Sequence, residues 1–142
     1  ALGSLADAKR IVSQDAADIL IIKAARVGGI SKSMEIIDFA RESSKDVVIT
    51  SSLESDIGIA ASAHLASSLP NNTLAQGLST SLLFDDNLGT DVLTPVSGHI
   101  YPPHGNGLGI NVEISKLEKY GLPIVGNVGE LPSDWRKAEP FM

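Results

Sequence analysis

No cysteine occurs in the 142 residues. Disulfides, thiolate metal sites and a cysteine nucleophile are therefore excluded, and redox logic does not fix a compartment. Apolar runs are short, and none approaches the ~18 residues of a membrane span. The opening Ala-Leu-Gly-Ser-Leu has neither a basic n-region nor an apolar h-region. Basic residues are outnumbered, 11 Lys and Arg against 17 Asp and Glu, for a net charge of −6. That balance argues against nucleic acid or an anionic membrane as a main partner. The three histidines, His64, His99 and His104, do not group at metal-ligand spacing. There is no internal repeat or low-complexity segment, and the length suits one domain with a real core.

What is present is an alternation of elements. Ser4, with Asp7 three residues on, marks a helix start, and Leu5, Ala8, Ile11 and Val12 give it one apolar face. Ile19–Ile22 is an unbroken apolar run that fits a strand buried on both faces, and it ends abruptly in Lys23. Gly28 and Gly29 let the backbone turn, and Ser31 is the expected N-cap of a helix to Ser43 burying Met34, Ile37 and Ala40. A second strand, with Val47, Val48 and Ile49 as its apolar core, precedes the alanine-rich helix Asp56–Ser68, capped by Ser55. Thr73–Leu78 is a weaker third strand. Strands near 19–23, 46–51 and 73–77 should lie adjacent and parallel, with the helices at 32–43 and 56–68 on one side. After Ser81 the character changes. Asp91–Met142 holds six of the seven prolines and seven of the thirteen glycines, which predicts an irregular segment with short β pieces and, at Glu113–Tyr120, a short helix or a turn.

Chemistry concentrates at the strand ends. A lysine at the C-terminal end of a buried parallel strand sits where α/β barrels place their reactions. There Lys23 can act as a base or stabilise a developing anion; the simpler alternative is a stem that carries the ammonium to water. Glu54, after the second strand, can act as an acid, bind the lysine or cap the following helix. Ser51, Ser52 and Ser55 offer hydroxyls and amides to a carboxylate ligand near a helix N-terminus, or they satisfy the turn. His64 reads as a packed, hydrogen-bonded residue of its helix. Gly105–Gly109 lacks the strand before and the Lys-Ser/Thr after that a phosphate loop needs.

Ile22-Lys23 with Arg26-Val27-Gly28-Gly29, then Thr50-Ser51-Ser52-Leu53-Glu54-Ser55-Asp56-Ile57-Gly58 and Ala60–Leu65, resembles the enolase superfamily, in its muconate-lactonizing and o-succinylbenzoate synthase branch. The resemblance covers roughly residues 1–112. It implies an α/β fold: residues 1–90 as the last strands of a (β/α)-barrel, and 91–142 as a segment closing the barrel and returning toward a capping domain. It matches Lys23 to the family's sixth-strand lysine and puts Glu54 at the end of the seventh strand; with these as catalytic residues, Ser51, Ser52, Ser55, Gly28 and Gly29 would line the substrate. Gln76-Gly77-Leu78-Ser79-Thr80 is similar to the element after the eighth strand in o-succinylbenzoate synthases. Muconate cycloisomerases carry Phe-Gly-Pro there, and dipeptide epimerases carry acidic residues.

A whole barrel needs about 250 residues, so the resemblance implies the C-terminal part of a longer enzyme, inactive by itself. Its reaction would run through an enediolate formed next to a carboxylate, with Mg²⁺ held by acidic ligands upstream and none within this chain. Dehydration to o-succinylbenzoate in menaquinone or phylloquinone synthesis is the first expectation. Muconate cycloisomerisation and dipeptide or N-acylamino acid epimerisation are alternatives, and a non-catalytic barrel remnant used as a binding module is the rival from another class. Expected partners are a small carboxylate substrate, the missing N-terminal half of the barrel and a second copy of the chain. The expected location is the cytoplasm, or a plastid in a photosynthetic eukaryote.

Overall fold

The computed structural model describes residues 2–70, 74–91 and 93–121. Its elements are α1 (Leu5–Ser13), β1 (Ile19–Ile22), α2 (Ala24–Val27), α3 (Ile30–Glu42), β2 (Asp46–Ile49), α4 (Asp56–Ser67), a 3₁₀ turn (Thr80–Leu83) and α5 (Ile114–Tyr120). The start of α1 follows from local chemistry: Ser4 Oγ accepts the Asp7 N–H at 3.2 Å, and Asp7 accepts from Gly3 N at 3.1 Å. Two orphan donors are satisfied reciprocally.

β1 and β2 pair in parallel with Ile19 opposite Asp46 and Ile22 opposite Ile49. A parallel bridge from Thr50 to Gly77 continues the sheet in the same direction. On one face Leu20, Ile22 and Ile49 are buried in a core shared with Ala8, Ile36, Ile37, Ala40, Ala63 and Leu65. Each large aliphatic side chain sealed there contributes about 1.5–3 kcal/mol.

Strand alternation also explains a correction. The run Ile19–Ile22 is not buried on both faces, because Ile19 and Ile21 remain 41% and 54% exposed. Period-2 geometry sends them to the side opposite the helices, where no described element covers them. A second correction concerns residues 73–77. Thr73 lies outside the described residues, and only Gly77 joins the ladder, through Gly77 N to Ile49 O (3.0 Å) and Ser51 N to Gly77 O (2.9 Å). One step earlier the main-chain acceptor is replaced by a side chain: Ile49 N donates to Gln76 Oε1 at 2.7 Å. Gly77 is needed because a Cβ there would meet Thr50 Cγ2 at 2.9 Å.

Ser31 does not cap α3. α2 ends in Gly28 at φ 101°, and Gly29 at φ 99° is the N-cap residue. Two consecutive positive φ values turn the chain between the helices within two residues, so Ser31 falls in the first turn of α3. The buried stripe of α3 is Ser33, Ile36, Ile37 and Ala40, with Met34 and Phe39 packed at its margin. In α4, Ile59, Ala60, Ala63 and Leu65 are buried over a wide arc, as its small residues predict, but its N-cap Ser55 makes no side-chain bond.

Beyond the 3₁₀ turn the chain is irregular. Val96 and His99 form an antiparallel bridge around Ser97 (φ 50°) and Gly98 (φ 80°), the paired positive φ values of a type I′ hairpin turn. Gly89 bridges Val112, and α5 lies within the expected 113–120. Val92 and the segment from Leu122 on lie outside the described residues. Among the described residues no helix is long and apolar enough to cross a membrane.

Candidate active site

Lys23 directly follows β1 and is half-buried. Alternation places it on the open face with Ile19 and Ile21. Its Nζ donates to the main-chain carbonyl of Ser51 at 2.9 Å. Among the described residues Lys23 enters no ion pair, so its charge is held by a neutral carbonyl and left uncompensated. The ammonium is neither paired off nor swung freely into water, which is the state an anion-stabilising group requires.

Glu54 is less simply placed than its motif implies. It lies five residues beyond the end of β2 and one before the N-cap of α4. The residue that extends the β1–β2 register next to Lys23 is Thr50, whose N–H donates to Ile22 O at 2.9 Å. Lys23 and Glu54 are therefore not equivalent strand-end residues. Both carboxylate oxygens of Glu54 are buried without a hydrogen-bond partner among the described residues, as is Thr50 Oγ1. Leaving such a group unpaired costs about 1–3 kcal/mol, and native proteins keep few of them without a purpose. Glu54 fits only because position 58 is glycine: a Cβ there would lie 2.5 Å from Glu54 Cβ and 2.8 Å from its Cγ.

The other predicted residues divide. Ser51 is buried, and its hydroxyl is occupied by Gly77 O (3.1 Å) and Thr80 Oγ1 (2.8 Å), so it fastens the sheet edge while its carbonyl holds Lys23. The Ser52 hydroxyl is half-buried with no partner among the described residues. Ser55 and Leu53 face a cavity of about 420 Å³ shared with Phe84, Leu88 and Tyr120. Gly28 and Gly29 are accounted for by the turn between α2 and α3. His64 is packed as expected, with Nε2 3.3 Å from Leu108 O. Among the described residues no group of three or more His, Cys, Asp or Glu is placed to hold a metal.

Sequence reasoning missed a buried polar cluster beside Glu54. Asp56 is fully buried and Asn87 is 5% exposed. Asp56 N donates to Asn87 Oδ1 (3.1 Å), while Asp56 Oδ2 accepts Gly89 N (2.7 Å) and Oδ1 accepts Ile57 N (3.1 Å). An aspartate in the first turn of a helix is an ordinary dipole-satisfying residue, so nothing local signals its contacts 31 and 33 residues away. Next to it, Asp86 accepts from Lys116 at 3.0 Å and from the Tyr120 hydroxyl at 2.9 Å. The Lys116 ammonium first, then Tyr120 and the Asn87 N–H, hold the Asp86 carboxyl down to about 2.

The family described as "Enolase C-terminal domain-like" matches residues 1–116. Muconate cycloisomerase 1 of Rhodococcus opacus is 29% identical over 114 residues, covering 80% of this chain and 31% of that protein. The o-succinylbenzoate synthase of Mycobacterium tuberculosis is 37% identical over 94 residues, covering 66% of this chain and 28% of that one. Among solved structures, muconate lactonizing enzyme from Pseudomonas putida superposes with a TM-score of 0.78 at 24% identity, over 83% of this chain and 33% of that chain. N-succinyl Arg/Lys racemase from Bacillus cereus gives 0.70 at 25% identity, over 83% and 31%. The chain thus spans less than a third of the length of the curated relatives it matches.

Proposed function

This chain belongs to the enolase C-terminal domain-like family, and on that premise we propose that it forms the C-terminal barrel section of an enzyme acting through an enediolate next to a carboxylate. The observation that carries the reading is Lys23: a half-buried ammonium at the end of a parallel strand, held among the described residues only by the Ser51 carbonyl. Such a group stabilises negative charge that develops on substrate oxygens. Glu54, its carboxylate buried and without a partner among the described residues, exchanges a proton with the bound ligand. Ser52 and the cavity beside Ser55 and Leu53 contact its remainder. A small carboxylate is the substrate, and the proposed location is cytoplasmic.

Dehydration to o-succinylbenzoate is the reaction we favour, supported by the higher identity to a synthase and by the Gln76–Thr80 element. Muconate cycloisomerisation is the second reading, supported by the longer match to that relative. Mg²⁺ is expected of the family, with the acidic ligands expected upstream of this segment, and the roles of Lys23 and Glu54 are stated without it.

The test is Lys23→Ala in the whole enzyme, with the cyclohexadiene carboxylate precursor of o-succinylbenzoate and, in parallel, cis,cis-muconate. Loss of one preorganised donor costs about 10²–10³ in kcat, with KM changing little. Lys23→Arg should also be poor, because reach and shape differ. Activity within a few-fold of the parent would reduce Lys23 to a surface residue and remove the proposal.

A further inference from the structure

Among the described residues the Glu54 carboxylate has no hydrogen-bond partner, so its position is set by the backbone on either side. That backbone is anchored two residues on. Asp56 donates its N–H outward to Asn87 and accepts the Gly89 N–H on its carboxylate. A cap for α4 needs neither bond: Asp56 already accepts Ile57 N, and an exposed carboxylate would satisfy the helix dipole equally well. Burying it completely instead, at the desolvation penalty of a charge, fixes residues 54–56 to segment 87–89. The closeness is absolute at Gly89, where a Cβ would collide with Asp56 Oδ2. Segment 87–89 is in turn fastened to the C-terminal region, by Glu113 N to Leu88 O at 2.9 Å and Lys116 Nζ to Gly89 O at 3.5 Å.

We propose that Asp56 is a positioning residue that couples the 87–89 segment, and through it α5, to the placement of the Glu54 carboxylate. This rests on the reading of Glu54 as part of the site. Asp56 touches no ligand; it acts through the two peptide units that separate it from Glu54.

The experiment uses the whole enzyme with Asp56→Asn, Asn87→Ala and, as reference, Glu54→Gln. The first readout is the ¹³C resonance of the Glu54 side-chain carboxyl in glutamate-labelled protein, assigned by its disappearance in Glu54→Gln. The second is the split between kcat and KM for the o-succinylbenzoate precursor. Both coupling variants should move the Glu54 resonance. They should lower kcat by about 10²-fold, the effect of a ~1 Å misplacement, while KM stays within about threefold. A lower melting temperature with an unmoved resonance and parental kcat overturns the proposal and leaves Asp56 a structural cap. Should Asp56→Asn fail to fold, Asn87→Ala decides, since it removes only the outer tether. Should Glu54→Gln keep parental activity, the site reading fails separately, and the resonance still reports whether the coupling exists.

Discussion

Replacing Gly58 by alanine sets two effects of opposite sign against each other. In α4 the change gains helix propensity, up to about 1 kcal/mol. Against this, the new Cβ would stand 2.5 Å from Glu54 Cβ and 2.8 Å from its Cγ, well inside van der Waals contact. Forcing extra volume into a packed site costs about 1–3 kcal/mol, so the clash should win by roughly 1 kcal/mol. The first atom met is a Cβ, which no rotamer change can move; relief requires the loop backbone to shift and carry Glu54 with it. The assay is a double-mutant cycle on melting temperature. In the parent, Gly58→Ala should lower Tm by about 2–4 °C. In a Glu54→Gly background, where both contacts are gone, the same change should raise it by a similar amount. Glu54→Ala would not serve, because it retains the Cβ. Gly58→Ala should also reduce kcat. A neutral or stabilising Gly58→Ala in the parent would refute the packing argument and the placement of Glu54 against α4.

Glu54→Met should stabilise by about 1–3 kcal/mol, because it removes a buried carboxylate without a partner, while abolishing turnover; a thermal scan and a rate assay check the pair. Gln76→Ala should cost about 1–3 kcal/mol by orphaning the Ile49 N–H, with hydrogen exchange at Ile49 rising first. The Asp86 carboxyl is depressed to about 2 from 3.8, chiefly by Lys116. A depressed folded value means its contribution is full above pH ~4 and is lost as pH falls from there through about 2. Amide protection of α5 should therefore decline across that window, and Asp86→Asn should flatten the decline. Protection independent of pH would show that Asp86 does not hold α5.

The parts of this fold written into neighbouring residues were legible. Ser4 with Asp7 marks a helix start through bonds made within four positions. The apolar runs of β1 and β2 declare strands, and their parallel pairing follows from the helix between them. Properties that depend on distant partners were not legible. Whether Ile19 and Ile21 are buried is decided by what lies across the open sheet face. Gly77 belongs to the sheet while Gln76 enters it only through its side chain, which no propensity distinguishes. Gly29 displaced Ser31 as N-cap because two positive-φ residues set the entry angle of α3 before any hydroxyl could. At the site, Lys23 was visible as the polar end of an apolar run. The separation of Glu54 from the strand end, and its dependence on Asp56 and Asn87, required the loop itself.

The neutral carbonyl that holds Lys23 bears on how an anion would arrive. The chain carries a net charge of −6, so a carboxylate approaching from afar meets repulsion, and only within a few ångströms does the uncompensated ammonium dominate. Salt acts on these two ranges unequally: exposed charges separated by more than ~8 Å are screened at physiological ionic strength, while a short, partly buried contact is screened far less. Added salt should then speed capture of an anionic ligand while barely loosening its final hold, the reverse of electrostatic steering.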